Sequence, residues 1–209
     1  MLHAILRRKT GQSGLHEAIF ERQDVGRYED PLTSAVFERL AYLPIATSWR
    51  VLGELLRLPD IPGDPESWML WPRLRLEDGT VEPDVVIVFA DFVVVIEVKH
   101  WTGHSIGQWS REVGAVRARY QREVKLLALG SGAPPEGPDH HVVHASWHSL
   151  ARAVRTARGR ALAHEARVLD DIADALGAFG YRPGQALASL VDYRPRVPFG
   201  SPVPRWRNL

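Results

Sequence analysis

Residues 84–97 of this 209-residue chain read Asp-Val-Val-Ile-Val-Phe-Ala-Asp-Phe-Val-Val-Val-Ile-Glu, two runs of β-branched and aromatic residues parted at Ala90-Asp91. Such runs, broken by a short turn signal, are how two paired antiparallel strands look in a sequence. With the turn centred on Ala90-Asp91, Asp84 at the start of the first strand stands opposite Glu97 near the end of the second. Alternation along a strand puts Glu97 and Lys99 on one face and Val98 on the other. One face of the hairpin thus gathers Asp84, Glu97 and Lys99, and a one-residue slip in register would scatter them.

Two carboxylates about 5 Å apart across a strand pair repel each other and need compensation. A divalent cation supplies it: Mg²⁺ takes oxygen ligands, typically one or two carboxylates plus waters and phosphate oxygens. A lysine beside such an ion can orient a water or stabilise charge on a phosphoryl transition state. The arrangement suits hydrolysis of a phosphodiester.

Pro83, Asp84, Glu97 and Lys99 together resemble the signature of the PD-(D/E)XK nuclease superfamily, the restriction-endonuclease-like fold. The resemblance implies a core of helix, three strands, helix and strand (αβββαβ), with a central mixed β-sheet flanked by helices. It also implies that Asp84 and Glu97 hold Mg²⁺ or Mn²⁺, that the Val98 carbonyl can add an oxygen, and that Lys99 acts on the attacking water. Many members add a glutamate from the first helix. Glu29 opens the segment Glu29–Leu43, where Asp30 and Pro31 are helix-start signals, and is preferred for that role. Glu38, near the end of the same helix, reads as a solvated surface residue.

The expected order of elements follows the family core. Val36, Phe37, Leu40 and Leu43 have helical spacing. After a Pro- and Gly-rich loop over 58–65, a first strand is expected from Ser67 to Leu76, with Asp78-Gly79 turning into the second. Beyond the loop 101–107, Trp109, Val113, Val116, Tyr120 and Leu127 suggest one long amphipathic helix. A strand over His140–Ser146 completes the core, and helices over about Ser149–Ala157 and His164–Phe179 follow. The reading is one nuclease-like domain over 1–209, with its core at about 29–146, a helical extension over 147–180 and an irregular tail over 181–209.

Composition narrows the class. There are no cysteines, which removes disulfides and thiolate metal sites. No apolar run approaches a membrane span and the N-terminus lacks a signal-peptide core, so a cytoplasmic protein without membrane contact is expected. A net charge of +1 does not announce nucleic-acid binding, but arginines cluster at Arg111, Arg117, Arg119 and Arg122, at Arg152–Arg160, and in the tail. Such clusters can contact phosphates or simply decorate solvated helices. His140, His141, His144 and His148 lack the spacing and partners of a zinc site and are read as structural or surface residues. Of seven tryptophans, Trp68, Trp71, Trp109 and Trp147 are assigned to packing. Trp101, His100, Gln108, Arg111 and Arg119 remain as accessory or nucleic-acid-contact candidates.

The function expected is a divalent-metal-dependent nuclease, acting first on DNA, as a homodimer or beside an ATPase- or helicase-type subunit. The resemblance suggests microbial defence, restriction or repair. The competing readings are a non-catalytic scaffold that binds nucleic acid or a partner, and an RNA-cleaving enzyme. No phosphate-binding glycine loop and no Gly-x-Ser-x-Gly elbow supports ATP hydrolysis or serine-hydrolase chemistry.

Overall fold

Leu32, Val36, Phe37 and Leu40 lie along one stripe of the first helix, α1 (Glu29–Ala41), and all four are fully buried. The computed structural model describes residues 29–99, 106–130 and 142–181. Pro44 leads into α2 (Ile45–Leu56), a helix not among those expected from the sequence. It stops where Arg57 turns left-handed at φ 59°, letting the Leu58 amide donate to the Gly53 carbonyl at 2.9 Å. Gly53 is required by close approach: a Cβ there would sit 2.6 Å from the Leu58 carbonyl oxygen.

Five strands form the central sheet: β1 (Ser67–Leu70), β4 (Val85–Val88), β5 (Phe92–Val98), β6 (Glu123–Leu129) and β7 (Val142–Ala145), in spatial order β1-β4-β5-β6-β7. The β1–β4 and β4–β5 pairs are antiparallel, while β5–β6 and β6–β7 are parallel. The β4–β5 register pairs Val85 with Ile96 and Val88 with Val93, the register read from the sequence. A separate two-stranded ribbon, β2 (Leu74–Leu76) and β3 (Gly79–Val81), lies between β1 and β4 in the chain.

Both faces of the sheet are covered, which is why β4 and β5 are apolar without alternation. Val85, Ile87, Val94, Ile96, Val98, Leu127 and Leu129 face a core built with α1, α2, α4 (Trp147–Arg158) and α5 (Ala163–Ala178). Val86, Val88, Val93, Val95, Val124, Leu126 and Ala128 face the other way, toward Trp109, Ala115 and Val116 of α3 (Ile106–Tyr120) and the β2–β3 ribbon.

Three expectations are corrected. The strand foreseen over Ser67–Leu76 breaks at Trp71, whose φ is 48°, and Pro72 follows without an amide hydrogen to continue a ladder. The hairpin near Asp78-Gly79 therefore closes the small ribbon, with Leu76 paired to Gly79, and does not join central strands. The long helix through Leu127 ends at Tyr120, where Gln121 turns left-handed at φ 52° and its amide caps the Arg117 carbonyl at 2.9 Å. Leu127 belongs to β6 between β5 and β7, and Arg122 leaves the helix to make a double hydrogen bond to Glu66 (2.8 and 3.0 Å). The family order of helix, three sheet strands, helix and strand is met by α1, β1, β4, β5, α3 and β6, with β7 added beyond it.

The last expected strand is seen over Val142–Ala145, His140 and His141 lying outside the described residues. The two C-terminal helices form as foreseen, each shifted by one or two residues at its ends. Ser146 caps α4 by accepting from the Ser149 amide at 3.1 Å.

Candidate active site

Asp84 sits one residue before β4, on the sheet face toward α3, and is only 9% exposed. Its carboxylate is held from two sides. Oδ2 accepts the Val98 amide at 2.8 Å and Oδ1 accepts the Trp71 indole N–H at 3.2 Å. The Trp71 amide also donates to the Asp84 carbonyl at 2.9 Å, so the backbone reversal after β1 serves to fix this aspartate. The Val98 side chain points to the opposite face and is fully buried in the four-helix core.

Glu97, 1% exposed, lies near the end of β5 on the same face as Asp84. Its Oε1 accepts Lys99 Nζ at 2.7 Å and Gln108 Nε2 at 2.6 Å. Lys99 is anchored through its backbone, its amide donating to the Leu129 carbonyl (2.7 Å) and its carbonyl accepting the Trp147 indole N–H (3.3 Å). The lysine side chain keeps 19% exposure, so its ammonium is partly open while the glutamate is sealed.

Gln108 enters from the first turn of α3 and donates from the same nitrogen to Oε1 of Glu112, at 2.8 Å. Glu112, 2% exposed, was not singled out from the sequence. The signal was available: Gln108-x-x-x-Glu112 places both side chains on one helix face, one turn apart. Oε2 of Glu97 and Oε2 of Glu112 are buried away from any N–H or hydroxyl donor, and the two carboxyls hydrogen-bond each other. Burial, then the Glu112 charge, push the Glu97 carboxyl up to about 7, against the pull of Lys99. Burial also raises Glu112; the Gln108 hydrogen bond opposes this and the Asp84 charge adds to it.

The donor set is all oxygen, the chemistry that hard divalent cations select. Among the described residues, no three His, Asp or Glu side chains are already grouped as an ion's ligands.

Other sequence candidates divide. The Glu29 backbone opens α1, and its side chain lies outside the described residues, as do His100 and Trp101. Glu38 is not solvated: it is 6% exposed and accepts a short hydrogen bond from Ser34 one helical turn earlier, because this stripe of α1 packs inward. Arg111 pairs with Asp78 of the ribbon turn at 3.2 Å, and Arg119 lies exposed near the far end of α3 from Gln108. Trp71, Trp109 and Trp147 are buried and Trp68 packs at the core's margin, as assigned. His144 packs against Trp109 and His148 sits edge-on to Tyr181. Among the described residues, no helix is long and apolar enough to cross a membrane.

Residues 48–134 match the nuclease-related domain (NERD) family model. An uncharacterised protein of Pasteurella multocida (strain Pm70) is 33% identical over 102 residues, which are 48% of this chain. The match spans only 40% of that protein's length. Among solved structures, the small subunit of the heterodimeric restriction endonuclease R.BspD6I aligns with 72% of this chain and 94% of its own, at 12% identity and a TM-score of 0.30. The family match runs from α2 through β6 and contains Asp84, Glu97, Lys99, Gln108 and Glu112. Residues 48–134 are thus similar to a nuclease-related domain, a PD-(D/E)XK-like nuclease unit, in keeping with the resemblance read from Pro83, Asp84, Glu97 and Lys99.

Proposed function

We propose that this chain is a divalent-metal-dependent nuclease that hydrolyses phosphodiester bonds, with DNA as its first substrate and its described elements acting as one nuclease domain. The observation that carries the reading is the sealed Glu97 carboxylate, bonded to Lys99 and Gln108 through one oxygen and away from any N–H or hydroxyl donor at the other, on the same sheet face as Asp84. Asp84 and Glu97 would hold Mg²⁺ or Mn²⁺, with the Val98 carbonyl and Glu29 as further oxygen donors. When bound, the ion would neutralise charge developing on the phosphate oxygens.

The chain's own groups do the rest. The Trp71 and Val98 N–H donors keep Asp84 aimed. Lys99, rigid at its backbone and partly open at its ammonium, hydrogen-bonds the attacking water and orients it in line with the scissile bond. A P–O bond forms from that water as the P–O bond to the leaving oxygen breaks. Gln108 fixes the Glu97 rotamer. His100, Trp101, Arg111 and Arg119 are proposed contacts to the nucleic acid, and a second copy or a motor subunit is the proposed partner.

The test is incubation of the purified chain with supercoiled plasmid in Mg²⁺, Mn²⁺ or EDTA, beside Glu97→Ala and Lys99→Ala. Metal-dependent nicking lost in both variants is the expected result. A folded wild type that leaves DNA intact but cleaves RNA would reassign the substrate. Full-rate cutting by Lys99→Ala would sink the mechanism.

A further inference from the structure

We propose that Glu112 is a further metal-facing carboxylate of this centre, forming with Glu97 a buried cation-binding pair beside Asp84; the proposal rests on the metal-dependent reading above. Glu112 lies on α3 yet is only 2% exposed, an unusual place for a carboxylate without a purpose-built partner. One of its oxygens accepts the Gln108 amide; the other meets no N–H or hydroxyl donor, and the carboxyl hydrogen-bonds that of Glu97. Glu97 has the same pattern: Oε1 accepts Lys99 and Gln108, and Oε2 is buried with no N–H or hydroxyl donor.

The shared amide explains how two carboxylates come to be presented together. Gln108 Nε2 lies 2.6 Å from one and 2.8 Å from the other, so it fixes both Oε1 atoms on a single donor. Two buried carboxylates against one another cost desolvation and repulsion that a cation between them would offset. A purely structural glutamate at this place would gain from full hydrogen bonding. A metal-facing one must keep a lone pair free. The pair is hard-oxygen chemistry, suited to Mg²⁺ or Mn²⁺.

The test uses the whole 209-residue chain, metal-free and without nucleic acid. Mn²⁺ binding is measured by titration calorimetry at pH 8 for wild type, Glu97→Gln and Glu112→Gln. Glu112→Gln keeps the shape of the side chain and can still bond to Gln108, so a merely structural role predicts unchanged Mn²⁺ affinity. A metal-facing role predicts a loss of about tenfold or more. Glu112→Gln binding like wild type while Glu97→Gln fails would overturn this proposal and leave the nuclease reading standing. A wild type that binds no Mn²⁺ would overturn both.

A second variant exploits the absence of cysteine from the chain. Glu112→Cys installs a single thiol, and Cd²⁺ should then give a thiolate-to-metal charge-transfer band that saturates at one equivalent and is absent from wild type. A folded Glu112→Cys protein without that band would overturn the assignment.

Discussion

Trp71 grips Asp84 at two points, its amide on the aspartate carbonyl at 2.9 Å and its indole N–H on Oδ1 at 3.2 Å. The tryptophan is 1% exposed and stands at φ 48°, a conformation that non-glycine residues adopt only when their surroundings impose it. The imposed turn breaks the strand foreseen after β1 and brings the indole to the carboxylate.

Trp71→Phe tests that link. It retains the aromatic bulk and removes one donor to Asp84, so about 1–2 kcal/mol of stability should be lost. Cleavage should fall by about tenfold as the carboxylate loses an anchor. Chemical denaturation and plasmid-nicking rates check the two effects; an unchanged rate in a destabilised variant would confine Trp71 to the fold.

Glu97→Gln should separate activity from stability. The Glu97 carboxyl is raised to about 7 in the folded protein, against an ordinary 4.5. Between those values the folded state binds more protons than the unfolded, so this group's contribution falls as pH rises from about 4.5 to 7. Metal-free Glu97→Gln should therefore be more stable than wild type at pH 8, by about 1–3 kcal/mol, and match it more closely at pH 5. Its cleavage should be abolished. Thermal melts at both pH values in EDTA read the effect.

Glu165 predicts the opposite slope. Its carboxylate accepts the Leu162 amide and the Thr47 hydroxyl, both at 3.0 Å, and the Leu162 bond first holds its pKa below the ordinary value. A lowered carboxylate pKa stabilises above the unfolded value and is lost as pH falls through the folded one. Glu165→Gln should lower the urea midpoint at pH 7, and its difference from wild type should shrink as pH drops below about 4.

Gly53→Ala probes packing far from the candidate site. The added methyl would meet the Leu58 carbonyl at 2.6 Å and the Trp49 indole nitrogen at 2.8 Å, so the end of α2 must shift. A loss of about 1–3 kcal/mol is expected in equilibrium unfolding, with cleavage per folded molecule unchanged.

The β4–β5 hairpin was legible because its information is local. Runs of β-branched residues, one turn signal and period-two alternation place Glu97 and Lys99 on one face, and the observed pairing of Val85 with Ile96 carries that register to the edge of Asp84. The apolar spacing of α1 was readable for the same reason: the residues that define it lie within one or two turns.

The strand β6 was not. Glu123-Val-Lys-Leu-Leu-Ala-Leu129 contains good helix formers and continues the apolar spacing of α3, so nothing within the segment distinguishes helix from strand. Parallel pairing with β5 on one side and β7 on the other, between partners distant in the chain, decides it. Glu38 was misjudged likewise, because which stripe of α1 turns inward depends on the helices and sheet packed against it.

Local sequence thus carried the three charged residues and their register. Tertiary structure alone joined Glu112 to them and gave Trp71 to Asp84, because burial and hydrogen-bond partners are properties of packed neighbours, and neighbours from α3, β1 and β5 exist only once the chain is folded.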